Sequence, residues 1–178
     1  MTSLHTIHEI NALSPEEFIR LLGGIYEHSP WVAEGAYGSR PFRNREALES
    51  AMRGVVDGCS TDQRIGILRA HPQLSGKEAR QGNLTADSAQ EQSRLSLNAL
   101  SGADLQQMLD INQRFMRKFG FPGIVAVRLH DAVDTVIADL ERRIESEYAD
   151  EVEAALGQVH HIARFRLHDL VSQNPVSP

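Results

Sequence analysis

Apolar residues recur along this chain at spacings of three and four, the period of helices that bury one face. Phe18, Leu21, Leu22 and Ile25 form the first clear set. It opens with Ser14-Pro15-Glu16-Glu17: a serine cap, a proline preset for the first turn, and acids at the positive end of the helix. This helix is expected to run to about Ser29, because Pro30 disfavours a helical residue before it. Pro30-Trp31-Val32 carries the single tryptophan, which either anchors a loop on the core or lines a pocket. Residues 35–41 read as loop. Asn44 caps a helix to about Asp57, with Leu48, Ala51, Met52 and Val55 on one face. Ser60 or Thr61 starts the next, which passes Ile65, Leu68 and Arg69 and ends at His71-Pro72.

The pattern then breaks. Residues 71–92 hold glycines, small polar side chains and charges with little apolar periodicity, and read as a loop between two helix ends. A helix over about 88–100 carries Leu95, Leu97 and Leu100. Ser101 caps another, with Leu105, Met108, Leu109, Ile111, Phe115 and Met116, and Lys118-Phe119-Gly120 ends it with basic residues and a terminal glycine. Phe121 to Val127 is compact, apolar and punctuated by Pro122 and Gly123. No other segment reads as a strand to pair with it, so it is taken as irregular backbone entering a helix, with N–H groups available to a ligand. Helical spacing returns over 131–146 and 147–171. The expected fold is all-α: a single-domain bundle of roughly eight helices with short connections.

Composition narrows the functional classes. An apolar content of 41% and a charged content of 24% over 178 residues suffice for a sizeable core. The net charge of −6, with no Lys/Arg block, argues against nucleic acid as a main partner. The one cysteine, Cys59, excludes an internal disulfide framework and reads as a small buried apolar side chain. The N-terminal stretch MTSLHTIHEI lacks the basic start and apolar run of a signal peptide. The best apolar run, 123–127, is too short to span a bilayer, so no membrane association is expected. The tail NPVSP is not a peroxisomal address, and cytoplasm is the expected location.

Candidate chemistry centres on 71–92. His71 either bonds a terminal carbonyl at its helix end or moves a proton near neutral pH. Ser88-x-x-Glu91 has the form of a capping box, and the helix start it marks would attract an anion beside Ser88, Glu91 and Gln92. Thr85 is a rival cap that would free the Ser88 hydroxyl. On the last helix, Val152, Leu156, Val159, Ala163, Leu167 and Leu170 share one face. Arg166 falls within its edge and Arg164 outside it. A core-directed arginine needs an anionic partner, either a glutamate or a bound carboxylate. His160, His161 and His168 lack metal-ligand spacing, and no metal is expected.

These residues, in order, resemble one family. Ser29-Pro30-Trp31-Val32-Ala33, His71-Pro72-x-Leu74, Ser88-x-x-Glu91-Gln92, Lys118-Phe119-Gly120-Phe121-Pro122 and Ile162-Ala163-Arg164-Phe165-Arg166-Leu167 together look like the OHCU decarboxylases, over about residues 9–171. The resemblance implies decarboxylation of 2-oxo-4-hydroxy-4-carboxy-5-ureidoimidazoline to (S)-allantoin in urate breakdown, an all-α homodimer and no cofactor. It implies His71 as catalytic acid with Glu91 beside it. Substrate would be bound by Pro72, by Ser88, Ala89, Gln90, Glu91 and Gln92, and by Gly123, Ile124, Val125, Ala126 and Val127. Arg166 would contact substrate or order the site. The chain departs from the family's usual residues at Gln73, Ser75, Gly123 and Leu129. The alternative is a non-catalytic helical module that holds a small anionic ureide-like ligand, and only the enzyme needs His71.

Overall fold

The computed structural model describes residues 4–173; the first three residues and the tail 174–178 lie outside them. Ten α-helices occur among the described residues, eight of them seven residues or longer, and no named strand. The expected all-α class is observed. In order they are α1 (Ile7–Ala12), α2 (Pro15–Leu22), α3 (Pro30–Tyr37), α4 (Arg45–Asp57), α5 (Thr61–Ala70), α6 (Lys77–Gln81), α7 (Ala86–Ser93), α8 (Gly102–Phe119), α9 (Val133–Ile144) and α10 (Tyr148–Leu170). Among the described residues, no helix is long and apolar enough to cross a membrane. The contacts sort into two compact units, one of residues 4–67 with 160–173 and one of residues 68–159.

In the first unit, Ser14 and Glu17 form the full capping box that starts α2. The helix ends at Leu22 and not near Ser29, and Pro30 opens a new helix instead of only closing the old one. Proline fits the first helical position, where its missing N–H costs nothing, so the same residue is both stop and start. Trp31 sits half-buried on α3, and the expected loop over 35–41 is helical to Tyr37. Helix α1, unforeseen, is opened by a Thr6–Glu9 capping box. Phe18 meets Tyr37 edge-on at 5.3 Å and stacks with Phe42. Cys59 is half-buried, not fully buried as expected.

Polar clusters around buried Arg166 and half-buried His160 lie in this unit. Arg166 pairs with Glu27 at 2.6 Å and donates to the Gly24 carbonyl at 3.0 Å. His160 sits 2.9 Å from the Tyr26 hydroxyl and 3.3 Å from Asp57, and burial pushes its pKa below the usual histidine range. His161, its neighbour, points outward and is exposed, as helical geometry requires.

In the second unit, α8 buries Met108, Ile111, Phe115 and Phe119 along one stripe. It ends in Gly120 at φ +74°, a left-handed cap that glycine adopts without a Cβ penalty. Phe119, Phe121 and Tyr148 then cluster with ring centroids 5.8–6.4 Å apart. Arg143 of α9 and Glu151 of α10, both essentially inaccessible, form a two-point pair: Nη2 to Oε1 at 2.6 Å and Nε to Oε2 at 3.2 Å. Burial pushes the Glu151 carboxyl up, and Arg143 offsets part of that.

Candidate active site

His71 follows the last turn of α5. Its N–H still closes on the Leu68 carbonyl at 3.3 Å, and Pro72 then forbids another turn. His71 is 7% exposed and its Nε2 is buried, so the ring is mostly desolvated. Residues 73–76 turn sharply, with Ser75 at φ +53°. A left-handed serine is unusual, and the surroundings hold it there. The Ser75 N–H donates to Gln92 Oε1 at 2.9 Å, its hydroxyl donates to the Leu97 carbonyl, and Asn112 Nδ2 donates to the Leu74 carbonyl at 2.9 Å. Gln92 also donates to the Gln73 carbonyl at 3.4 Å. Buried amides from α7 and α8 thus hold the turn that carries His71.

Helix α7 begins at Ala86 with Thr85 as cap, its hydroxyl accepting from the Ser88 N–H at 3.3 Å. The Ser88-x-x-Glu91 capping box is therefore corrected: Ser88 lies inside the first turn. Thr85 wins because its backbone is extended, at ψ 157°, as a cap requires, while Ser88 is already helical. Ser88 and Gln92 are buried, Ala89 and Glu91 half-buried, and Gln90 exposed. The helix ends at Ser93, well short of Leu100, and a single 3₁₀ turn follows over Leu97–Ala99. Part of the expected loop, 77–81, is the short helix α6.

Segment 121–127 is irregular, as expected, and every residue in it is buried. Side chains of α9 and α10 engage two of its backbone groups. Ala126 N–H donates to Gln158 Oε1 at 2.9 Å, and the Ile124 carbonyl accepts from Arg143 Nη1 at 2.7 Å. Gly123 faces the core: a Cβ there would stand 2.7 Å from Leu140 Cδ2 and 3.2 Å from the Phe115 ring. Gly123→Ala should therefore cost about 1–3 kcal/mol by overpacking, measured by urea unfolding. An unchanged stability would mean that Leu140 swings aside freely.

A cleft of about 570 Å³ opens beside His71, lined also by Arg69, Gln73, Lys77, Glu78, Met116, Gly120 and Pro122. Its lining takes His71 from the expected set. Segment 88–92 bears on it through the Gln92 hydrogen bonds, and segment 121–127 through Pro122. Residues 11–168 match the family described as OHCU decarboxylase. The chain belongs to the OHCU decarboxylase family. It is 36% identical to the 2-oxo-4-hydroxy-4-carboxy-5-ureidoimidazoline decarboxylase of Haloferax volcanii, covering 94% of this chain and 96% of that one. The mouse protein of the same name is also 36% identical, over 92% of this chain and 91% of that one. A crystal structure of (S)-allantoin synthase superposes with TM-score 0.75 at 30% identity, covering 94% of this chain. This chain spans about half of that synthase, 54% of its length.

Within the family frame, the cleft takes in Gln73, one of the departures, and adds residues with no functional signal in the sequence: Arg69, Lys77, Glu78, Met116 and Gly120. Met116 shares the apolar spacing of its helix, yet it is 40% exposed. No group of three or more His, Cys, Asp or Glu side chains converges as a metal site among the described residues.

Proposed function

We propose that this chain decarboxylates 2-oxo-4-hydroxy-4-carboxy-5-ureidoimidazoline to (S)-allantoin and CO2 in urate degradation. The observation that carries the reading is the family match over 11–168, with His71 standing in a cleft inside it. In this reading the bond to the carboxylate breaks and its electron pair passes into the adjoining C=N unit of the ring. The carbon that loses CO2 also bears the hydroxyl, and it becomes the carbonyl as the hydroxyl proton passes to the ring nitrogen. One further proton is taken up, and His71 delivers it to one face of the carbon bearing the ureido group. The substrate supplies its own electron sink, so the chemistry asks the protein for orientation, desolvation and one proton.

The other assignments follow from the same reading. Glu91 holds the imidazole and favours its protonated form, since a nearby carboxylate stabilises imidazolium. Pro72 with segments 88–92 and 123–127 forms the substrate's surroundings. Arg166 acts by ordering, because Glu27 already answers its charge. The chain works as one domain, as a homodimer, in the cytoplasm and without a cofactor. The reaction is tested by generating the substrate from urate and following CO2 release with and without this protein. Release at the spontaneous rate would refute the assignment, and sedimentation of the same sample reads the dimer.

A further inference from the structure

In a chain of net charge −6, one cleft is lined by two cations and a single acid. Arg69 and Lys77 both line the cleft beside His71 and Gln73, and neither forms an ion pair among the described residues. Glu78 is the acid in that lining, so the side chains there carry a positive balance.

Arg69 is exposed but fixed. Its Nε donates to the Gly120 carbonyl at 3.1 Å, and its Nη2 lies 3.6 Å from where a Cβ on Gly120 would stand. The carbonyl it uses belongs to the residue that ends α8 in the left-handed conformation. A merely solvated arginine needs no such anchor. With Nε engaged, the two terminal amino groups present a planar fork whose geometry matches a carboxylate. Lys77, at the start of α6, is a compact charge on a flexible stem and complements that fork without fixing an orientation.

We propose that Arg69 anchors the carboxylate of the ligand that His71 serves, with Lys77 as a second, steering charge. The identity of the ligand rests on the decarboxylase reading; the sign of its charge rests on the cleft. A kinetic signature follows. CO2 departs neutral, so a cation paired with the carboxylate stabilises bound substrate more than the transition state. Arg69 therefore acts on KM. Arg69→Met should raise KM about tenfold with kcat unchanged or higher. Arg69→Lys should recover part of the loss. Lys77→Met should lower kcat/KM at low salt, with the difference fading as ionic strength rises.

The test pairs these kinetics with calorimetric binding of allantoate, an anionic ureide, and allantoin, a neutral one. Wild type is expected to bind allantoate about tenfold more tightly, and Arg69→Met to lose that preference. A preference that survives in Arg69→Met, or a wild type that binds the two alike or binds neither, overturns the anchor. Arg69-dependent preference without turnover would keep the anchor and remove the decarboxylase reading. Turnover with KM indifferent to Arg69 would do the reverse.

Discussion

His71→Asn is expected to slow (S)-allantoin formation by about 10²–10⁴-fold, the range a positioned proton donor contributes. Asparagine keeps polarity and much of the volume but has no proton to give near neutral pH. His71 comes after the α5 helix ends, and Gln92, Asn112 and Leu97 hold the turn beyond it through bonds that do not involve the imidazole. The far-ultraviolet circular dichroism of the variant should therefore match wild type. What product forms should be racemic, because without a facial proton source the ring carbon takes its proton from water on either side. Optically pure product at a near-normal rate would remove His71 from the chemistry.

Glu151→Ala is expected to destabilise the protein by about 3 kcal/mol or more, in the range for breaking a buried pair from one side. Arg143 stays behind at 3% side-chain exposure, with Asp139 at 3.2 Å and the Ile124 carbonyl at 2.7 Å as remaining partners. Those contacts do not replace two hydrogen bonds to a carboxylate of 0% exposure. The double variant Arg143→Met with Glu151→Leu should recover much of the loss, because it removes both charges. Urea unfolding of the two single variants and the double variant measures this. A loss below about 1 kcal/mol in Glu151→Ala would mean that Asp139 takes over the guanidinium. Arg143 also holds segment 121–127 by its carbonyl, so the single variants should lose turnover as well as stability.

Much of the fold was legible because local chemistry and burial agreed. Asn44, Ser14 and Gly120 mark helix ends by the same hydrogen bonds and dihedrals that their residue types suggest. Arg166 was placed at the edge of a buried face by angle alone, and it lies buried there while Arg164 is exposed. Its partner proved to be Glu27, distant in sequence, which no local pattern specifies. Errors arose where one signal serves two purposes. Pro30 both follows one helix and begins another, and Thr85 and Ser88 are each plausible caps three residues apart. Helix α6, five residues long, is too short to show a period.

His71 is the part of the candidate site that the sequence makes legible, and its surroundings are not. His71-Pro72 stands out as a helix stop bearing a titratable ring. Gln73, Lys77 and Glu78 join it only because Ser75 turns the chain left-handed, and nothing short of the fold specifies that turn. Gln92 reads from sequence as a substrate contact and Asn112 as an ordinary helix residue, and the bracing of the turn by both is visible only through the carbonyls and N–H groups they hold.

The central claim is most directly tested by the handedness of the product. Urate would be converted in place by urate oxidase and hydroxyisourate hydrolase, and allantoin followed by circular dichroism with wild type, with His71→Asn and with no added protein. The account predicts rapid growth of a single-handed signal with wild type alone, and only the slow racemic background in the other two. A wild-type trace no different from the background would contradict it and leave a helical domain that binds a ureide-like anion without transforming it.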